Sequence, residues 1–341
     1  VIDNIEENRG NGKPFFAYLA LQAPHDPFQL PAEWLDKYKG RYEQGYDVTR
    51  ATRLERMKKL GIVDPKAASF PRLANVPAWA DLSDEARRQS ARRMELYAAM
   101  VEHMDANIGK LIDYLKAKNL YDNTLIIFLS DNGPEGTMWN MAAPWDNSKI
   151  ENWGKRGTFI QYGAAWAQVS AGPFRLFKGY LSEGGIRAPL VVSGRGVNGS
   201  GRISHAVAHI MDIPATILNA AGVSHPRNYE GREVAPLQGR SLSSILNGSR
   251  PSVRSPSDWL GWELFGHRAI RQDNWKLLWL CEPYGPGKWQ LYDLKADPGE
   301  MNDLASVQPK VREQLIRHWV RYAEANSVVL PDSSPVCAKG R

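Results

Sequence analysis

Three apolar runs bordered by turn-forming residues stand out in the hydrophobic pattern of this chain. Residues 125–133 read LIIFLSDNG, so five consecutive apolar side chains precede a polar turn. Residues 14–22 (PFFAYLALQ) and residues 188–193 (APLVVS) are two further apolar runs of strand length. Continuous apolar runs of this length are typical of strands that are buried on both faces of a sheet. The pattern therefore predicts three core strands.

A long helix is predicted directly before the run at 125–133. Ser83 is a suitable N-cap, and Asp84 and Glu85 place negative charge in the first turn, where the helix dipole favours it. Apolar side chains then recur at helical spacing: Met94, Tyr97, Val101, Met104, Ile108, Leu111, Ile112 and Leu115. A helix that leads into a buried strand indicates an α/β fold with a largely parallel sheet flanked by helices.

Beyond residue 240 the pattern changes to short strands separated by turns that contain glycine, asparagine or aspartate. The predicted strands are residues 259–265, 267–271, 275–281 and 289–293, and a helix with Val311, Leu315, Trp319 and Tyr322 on one stripe follows them. We therefore expect an α/β domain over residues 1–240. Residues 241–341 are expected to form a small C-terminal subdomain, with an antiparallel sheet and a packed helix.

The composition narrows the classes of function. The 341 residues carry a formal net charge of +6, which favours an anionic substrate but is too small to indicate a nucleic-acid surface. The arginine-rich residues 86–93 (ARRQSARR) are the part of the chain that could favour a nucleic-acid surface. We interpret them instead as the solvated start of the long helix. No apolar run approaches the ~20 residues that cross a bilayer, so no membrane span is predicted. The sequence does not distinguish a periplasmic from a cytoplasmic location.

Polar side chains beside these apolar runs are the candidates for chemistry. Asp131 and Asn132 offer a carboxylate and an amide oxygen, hard donors that suit Ca²⁺ or Mg²⁺. The string SDNG is also good turn chemistry, so by itself it leaves a metal site and a simple turn open. His25 follows the run at 14–22, and Lys178 lies in a glycine-containing segment before the run at 188–193.

Taken together, these segments resemble the sulfatase family of the alkaline-phosphatase-like superfamily, and bacterial arylsulfatases above all. In that family a strand ends in S-D-N-G, as at residues 130–133, and a P-H-x-P loop carries a histidine, as at residues 24–27. A K-G-x(4-5)-G-G-x-R segment carries a lysine, as at residues 178–187. The strings DIPATIL at 212–218 and LYDL at 291–294 extend the resemblance into the last third of the chain.

The resemblance implies a metal-assisted sulfuric ester hydrolase that acts on a small-molecule or glycan sulfate ester. Asp131 and Asn132 would be ligands of Ca²⁺, with Mg²⁺ as the alternative ion. Lys178 would bind a sulfate oxygen, and His25 would contact the ester and act as the general acid. The family's nucleophile is a formylglycine made from the cysteine of a C-x-P/A-S-R motif. That motif and a pair of metal-binding aspartates are expected upstream of this chain, so the isolated chain is expected to have little or no activity.

Neither cysteine fits the nucleophile motif. Cys281 is followed by Glu-Pro-Tyr-Gly and Cys337 by Ala-Lys-Gly-Arg, and neither follows a strand with an aspartate pair. We interpret Cys281 as a small core residue and Cys337 as part of a C-terminal tail, with no disulfide framework. His205 and His209 are spaced for one face of a helix, but without an H-E-x-x-H context a structural role is favoured over a metal site.

Residues 133–177 hold four tryptophans without a strong helical or strand pattern: Trp139, Trp145, Trp153 and Trp166. Irregular connections of this length inside a compact domain are usually functional or disordered. We interpret the segment as a rim or lid that contacts the organic part of the substrate. The alternative is a surface excursion whose tryptophans pack on the body of the domain.

Two other functions remain open at this stage. A phosphonate or phosphate ester hydrolase of the same superfamily shares most of the expected site. An inactive fragment that binds sulfated ligands would keep the fold, the basic charge and the tryptophan-rich segment.

Overall fold

A computed structural model of the protein describes residues 1–331. The chain divides into two compact units. The first contains Val1–Thr52, Arg72–Thr124 and Glu135–Val169, and the second contains Arg53–Pro71, Leu125–Pro134 and the chain from Ser170 onward. Among the described residues, no helix is both long enough and apolar enough to cross a membrane. The predicted boundary between residues 240 and 241 stays a prediction.

The helices of the chain include the long one that the spacing predicted. They are α1 (Ile2–Asn8), α2 (Gly45–Lys59), α3 (Asp84–Ala117), α4 (Gly163–Ala171), α5 (Glu183–Ile186), α6 (Asp212–Ala221), α7 (Ser243–Leu246) and α8 (Pro309–Ala325). Single 3₁₀ turns occur at Ala32–Trp34, Trp79–Asp81, Tyr121–Asn123 and Ile150–Asn152. Ser83 is the N-cap of α3, and its hydroxyl accepts a 3.2 Å hydrogen bond from the Ala86 amide, which confirms the predicted cap.

The core of the first unit is aromatic. Trp166 in α4 is fully buried, and its indole Nε1 donates to the Ser90 carbonyl oxygen at 2.9 Å. Tyr42, Tyr46 and Trp79 pack edge-on against the Trp166 ring, with centroids 5.6 to 6.3 Å away. This packing gives the unit a core whose polar indole nitrogen is satisfied, as buried tryptophans require.

Two of the three predicted strands form, both in the second unit, but neither is buried on both faces as predicted, and Val191 is 58% exposed. β1 (Leu125–Leu129) pairs antiparallel with β2 (Leu190–Gly194), with Leu125 opposite Gly194 and Leu129 opposite Leu190. All strand pairs formed by residues 1–331 are antiparallel. The chain between β1 and β2 therefore turns back, so that β2 runs against β1.

The third predicted strand, residues 14–22, is not a strand in the structure. The segment has no regular secondary structure, and Phe16 and Tyr18 are 72% and 83% exposed. An apolar run becomes a strand only when a neighbouring strand accepts its backbone hydrogen bonds and a second layer covers its side chains. No strand within the described part of the chain pairs with this segment, so His25 follows an extended loop rather than a strand.

The C-terminal part contains the predicted small antiparallel sheet. Its strands are β5 (Trp259–Leu264), β6 (His267–Gln272), β7 (Trp275–Trp279) and β8 (Trp289–Asp293), in that order across the sheet. A two-residue hairpin, β3 (Asn228–Tyr229) with β4 (Arg232–Glu233), precedes them. Helix α8 packs on the sheet through Leu315 and Trp319, which form one core cluster with Ile270, Leu277 and Leu291. The antiparallel sheet with its packed helix is thereby confirmed.

Candidate active site

Asp131 and Asn132 follow β1 in a turn that their own polar groups stabilise. The Asn132 amide donates to Oδ1 of Asp131 at 3.1 Å, and the Ser130 hydroxyl donates to the Asn132 carbonyl oxygen at 3.1 Å. The Asn132 side-chain amide donates to the Gly133 carbonyl oxygen at 2.8 Å. The turn chemistry that competed with the metal interpretation is therefore present. It leaves Oδ2 of Asp131 and Oδ1 of Asn132 without a hydrogen bond to any of the described residues.

These two oxygens have the donor chemistry of a Ca²⁺ or Mg²⁺ site, because both ions prefer carboxylate and amide oxygens. They do not complete such a site. Among residues 1–331 there is no group of three or more histidine, cysteine, aspartate or glutamate side chains placed to hold a metal ion. Asp131 and Asn132 therefore fit two positions of a coordination sphere that takes about six to eight oxygens for Ca²⁺.

The segment that carries Lys178 is bound directly to this turn. The Lys178 amide donates to the Pro134 carbonyl oxygen at 3.0 Å, and the Gly133 amide donates to the Gly185 carbonyl oxygen at 2.8 Å. The approach is so close that a Cβ at Gly133 would lie 1.9 Å from the Gly184 carbonyl oxygen. Glycine is thus required at position 133 by the contact with α5. The structure brings three predicted site residues, Asp131, Asn132 and Lys178, onto neighbouring segments of the second unit.

A buried ionic group lies beneath α5 in the same unit. Nζ of Lys276 lies 2.8 Å from Oε1 of Glu183 and 2.9 Å from Oε1 of Glu300, and all three side chains are almost fully buried. The Glu183 amide donates to Oε2 of Glu300 at 2.8 Å. Sequence reasoning missed this group, because its members are as much as 117 residues apart and only Glu183 lies in a recognised string.

The pKa values of the two carboxyl groups are shifted in opposite directions. Burial alone raises the pKa of Glu183, but the Lys276 ammonium group, helped by Arg271 and Arg187, outweighs it and lowers that pKa. Burial raises the pKa of Glu300, and the charge of Glu183 adds to the effect and outweighs Lys276. Glu183 is therefore the ionised partner of Lys276, and Glu300 is the carboxyl group that more readily keeps a proton.

His25 belongs to the first unit, where a buried carboxylate orients it. Nδ1 of His25 lies 2.6 Å from Oδ1 of Asp26 and 2.9 Å from the Asp26 carbonyl oxygen. Oδ2 of Asp26 accepts a hydrogen bond of 2.5 Å from the side-chain amide of Gln161, which is also buried. The His25 side chain itself is 54% exposed. The arrangement fixes one ring nitrogen of an accessible histidine, which is what a general acid or base requires.

Gln161 belongs to the tryptophan-rich segment and also binds the backbone of Trp139. Its side-chain oxygen accepts a hydrogen bond of 2.8 Å from the Trp139 amide. Trp139 is 61% exposed, whereas Trp153 and Trp166 are buried and Trp145 stacks edge-on against Phe159. For Trp153 and Trp166 the alternative interpretation is therefore correct, since their rings pack in the body of the unit. Asp26, next to His25, lies in the recognised P-H-D-P string, so it could be found from the sequence. Gln161 lies in no recognised string, so its role could not be predicted.

The other sequence candidates have structural roles. Cys281 is buried as predicted, but it is disulfide-bonded, which corrects the expectation of unpaired cysteines and leaves it no thiolate. Cys337 lies outside the described residues. The segment containing His205 and His209 is not helical, and Nδ1 of His209 accepts a 3.2 Å hydrogen bond from the Met211 amide. The structural interpretation of this histidine pair therefore fits the observed contacts.

Comparison with known families places these features in context. The sulfatase family model matches residues 1–223, and a model named N-sulphoglucosamine sulphohydrolase, C-terminal, matches residues 172–324. An uncharacterized sulfatase of Schizosaccharomyces pombe is 41% identical over 97% of this chain and 62% of its own length. An arylsulfatase of Klebsiella aerogenes is 37% identical over 71% of this chain and 54% of its own length. The chain thus spans 54% to 62% of the length of these two relatives.

Solved structures share the fold at lower sequence identity. Ps i-CgsB in complex with k-i-k-neocarrahexaose superposes with a TM-score of 0.59, at 21% identity, over 94% of this chain and 52% of its own. The phosphonate monoester hydrolase SpPMH from Silicibacter pomeroyi superposes with a TM-score of 0.54, at 20% identity, over 95% and 59%. This likeness confirms the predicted α/β fold class with its small C-terminal antiparallel sheet.

Proposed function

Because this chain belongs to the sulfatase family, we propose that the protein that carries it is an arylsulfatase-like sulfuric ester hydrolase. The observation that carries the proposal is the direct attachment of the Lys178 segment to the Asp131–Asn132 turn, through hydrogen bonds of 3.0 and 2.8 Å. A cation and two hard oxygen donors then lie on adjacent segments. This combination suits a compact oxyanion such as the sulfate group of a sulfate ester.

Lys178 binds a sulfate oxygen in this proposal, and Asp131 and Asn132 hold a Ca²⁺ ion, with Mg²⁺ as the alternative. When bound, such an ion neutralises negative charge that develops on the ester oxygens. The nucleophile lies outside residues 1–341, because Cys281 is disulfide-bonded and neither cysteine stands in a C-x-P/A-S-R string. A formylglycine upstream is the group that the family resemblance implies.

His25 delivers the proton that the leaving alkoxide or phenoxide oxygen needs. The Asp26 carbonyl oxygen accepts a 2.9 Å hydrogen bond from Nδ1, so Nε2 is the ring nitrogen that would give its proton to the ester. Gln161 fixes Asp26 in turn through its 2.5 Å hydrogen bond. Proton transfer from a positioned side chain typically contributes roughly 10²- to 10⁴-fold to a rate, so His25→Ala should lower kcat most for esters with poor leaving groups.

The exposed Trp139 contacts the organic part of the ester. Its backbone is bound to Gln161, the same residue that holds Asp26 behind His25. An exposed indole offers a flat apolar face for an aryl or sugar ring. In this proposal the rim predicted for residues 133–177 is limited to the exposed part around Trp139.

The test is hydrolysis of methylumbelliferyl sulfate by the protein expressed from the complete coding sequence that contains this chain. Lys178→Ala should lower kcat/KM by roughly a hundredfold or more, the effect of losing one charged stabilising group. Lys149→Ala is the matched control, since Lys149 is an exposed lysine outside the proposed site. Absence of turnover by the unaltered protein, combined with salt-sensitive binding to sulfated polymers, would instead indicate an inactive protein that binds sulfated ligands.

A phosphonate or phosphate ester hydrolase is the second candidate, because the superposition on a phosphonate monoester hydrolase shows that the same fold supports that chemistry. The ratio of aryl sulfate to aryl phosphonate turnover decides between the two. We expect the ratio of kcat/KM values to favour the sulfate. A ratio that favours the phosphonate would transfer the proposal to phosphoryl esters.

A further inference from the structure

The buried group Glu183–Lys276–Glu300, hereafter the ionic triad, joins the C-terminal sheet to the segment beneath the proposed site. Glu183 is the first residue of α5, Lys276 lies on β7, and Glu300 follows β8. The three side chains meet within 2.9 Å at Nζ of Lys276, and none has appreciable solvent exposure. A lysine charge without water contact is tolerated only when carboxylates surround it, so each member fixes the other two.

The two residues that follow Glu183 contact both segments that carry the proposed chemistry. The residues next to Glu183, Gly184 and Gly185, press against Gly133, directly behind Asn132, and the Gly185 carbonyl oxygen accepts the Gly133 amide. The Gly184 amide donates to the Arg175 carbonyl oxygen at 2.9 Å, which fixes the start of the segment that continues to Lys178. A displacement of Glu183 would therefore shift the Asp131–Asn132 turn and the segment that carries Lys178 together.

We propose that Lys276 and Glu300 are positioning residues of the hydrolase site, which act by holding Glu183 and, through α5, the segments of Asp131, Asn132 and Lys178. The inference rests on the proposed function for its catalytic consequence. Neither residue touches substrate. Lys276 supplies the charge that holds the Glu183 side chain, and Glu300 accepts the Glu183 backbone amide, so the side chain and the main chain at this position are fixed independently.

A second buried ion pair in the same unit provides a matched control. Arg254 donates two hydrogen bonds of 2.7 Å to the fully buried Asp212, which also accepts from the Arg240 and His209 amides. None of the described hydrogen bonds of Asp212 reaches residues 130–134 or 175–187. Loss of this pair should destabilise the unit without disturbing the site.

The experiment compares Lys276→Met with Arg254→Met in the protein expressed from its complete coding sequence. Hydrogen–deuterium exchange is followed in peptides that cover residues 130–136 and 175–187, and kcat and KM are measured for methylumbelliferyl sulfate. We expect Lys276→Met to accelerate exchange in both peptides and to lower kcat by roughly tenfold or more, since a loosened site no longer holds the reacting geometry. Arg254→Met should leave both peptides and kcat within about threefold of the unaltered protein, because well-separated sites act independently.

Glu300→Ala and Glu300→Gln keep the inference testable if Lys276→Met does not fold. The alanine variant removes the acceptor of the Glu183 amide, whereas glutamine retains an oxygen there and leaves Lys276 paired with Glu183. We expect Glu300→Ala to reproduce the exchange and kcat changes and Glu300→Gln to restore most of both. Glu300→Met keeps most of the bulk without an acceptor oxygen and should reproduce the changes of Glu300→Ala, whereas restoration by methionine would mean that bulk alone is responsible.

Unchanged exchange in both peptides would overturn the inference, and so would faster exchange with an unchanged kcat. An equal effect of Arg254→Met would also overturn it, because general destabilisation would then explain the loss. If the unaltered protein hydrolyses no sulfate ester, the proposed function fails, and the exchange measurements alone decide whether the ionic triad holds these segments.

Discussion

His267 is a buried histidine without polar partners among the described residues. Both ring nitrogens lack a hydrogen bond, and the ring lies against Tyr180, with centroids 5.4 Å apart. Burial lowers the pKa of His267 to about 4. The unfolded chain therefore binds this proton more tightly than the folded protein between pH 6.5 and about 4.

Stability should accordingly fall as the pH drops through that window. The full difference is worth about 3 kcal/mol of unfolding free energy, present above pH ~6.5 and lost by pH ~4. His267→Phe should remove this part of the pH dependence, as measured by urea unfolding at several pH values. His205→Gln is the control, because His205 is exposed. A pH dependence unchanged by His267→Phe would contradict the assignment.

Trp139 is the residue on which the proposed contact with the organic group can be tested. We expect Trp139→Ala to raise KM for methylumbelliferyl sulfate roughly fivefold, since an aromatic contact is worth about 1 kcal/mol. KM for a small alkyl sulfate and kcat for both esters should change little. Tyr229→Ala is the matched control, since Tyr229 is 64% exposed and lies in the β3–β4 hairpin. An equal rise in KM for both esters would argue against a ring contact.

The sequence allowed prediction of those site residues that lie in short local strings. Asp131 and Asn132 stand next to each other. Lys178 precedes Gly184 and Gly185, where a Cβ would lie 2.2 and 2.0 Å from the carbonyl oxygens of Leu176 and Tyr180. Gln161 and Lys276 were not predictable, because their partners Asp26 and Glu183 lie 135 and 93 residues away. A long-range polar contact leaves no periodic signal in a single sequence.

At the level of elements, local sequence patterns were enough to predict those elements whose stabilising contacts come from residues close in sequence. The α3 cap and the hairpins of the C-terminal sheet depend on residues close in sequence, and both were predicted. Residues 14–22 have the same apolar character as β1, yet only β1 has a paired strand among the described residues. Whether an apolar run becomes a strand is decided by what lies beside it, which the run itself does not encode.

The contact between α5 and the β1 turn leads to a prediction on glycine substitutions. Gly133→Ala would place a Cβ 1.9 Å from a backbone oxygen, which no rotamer change can relieve. We expect it to lower the unfolding free energy by about 1–3 kcal/mol and to reduce kcat, because the turn must move away from α5.

Gly109→Ala is the matched substitution in a different element. Gly109 lies within α3, and nothing lies within 4 Å of its added Cβ. Alanine there should raise the unfolding free energy by up to ~1 kcal/mol through helix propensity. The two substitutions should thus have opposite signs in urea unfolding, and a stable, fully active Gly133→Ala variant would contradict the close contact.

At the scale of the molecule, the proposed residues are divided between the two compact units. His25, with Asp26 and Gln161, belongs to the first unit, whereas Asp131, Asn132 and Lys178 belong to the second. The proposed general acid therefore lies in the first unit, and the proposed ligands of the anion and the metal lie in the second.

The isolated chain of residues 1–341 should therefore bind Ca²⁺ weakly and turn over little aryl sulfate. Two side-chain oxygens, from Asp131 and Asn132, leave most of the about six to eight positions of the ion to water, so we expect a Kd of about 1 mM or weaker. Calorimetric titration with Ca²⁺ should show tighter binding by the protein from the complete coding sequence, and Asp131→Ala should abolish that gain. Tight binding or rapid turnover by the isolated chain would mean that residues 1–341 contain further ligands and a nucleophile of their own.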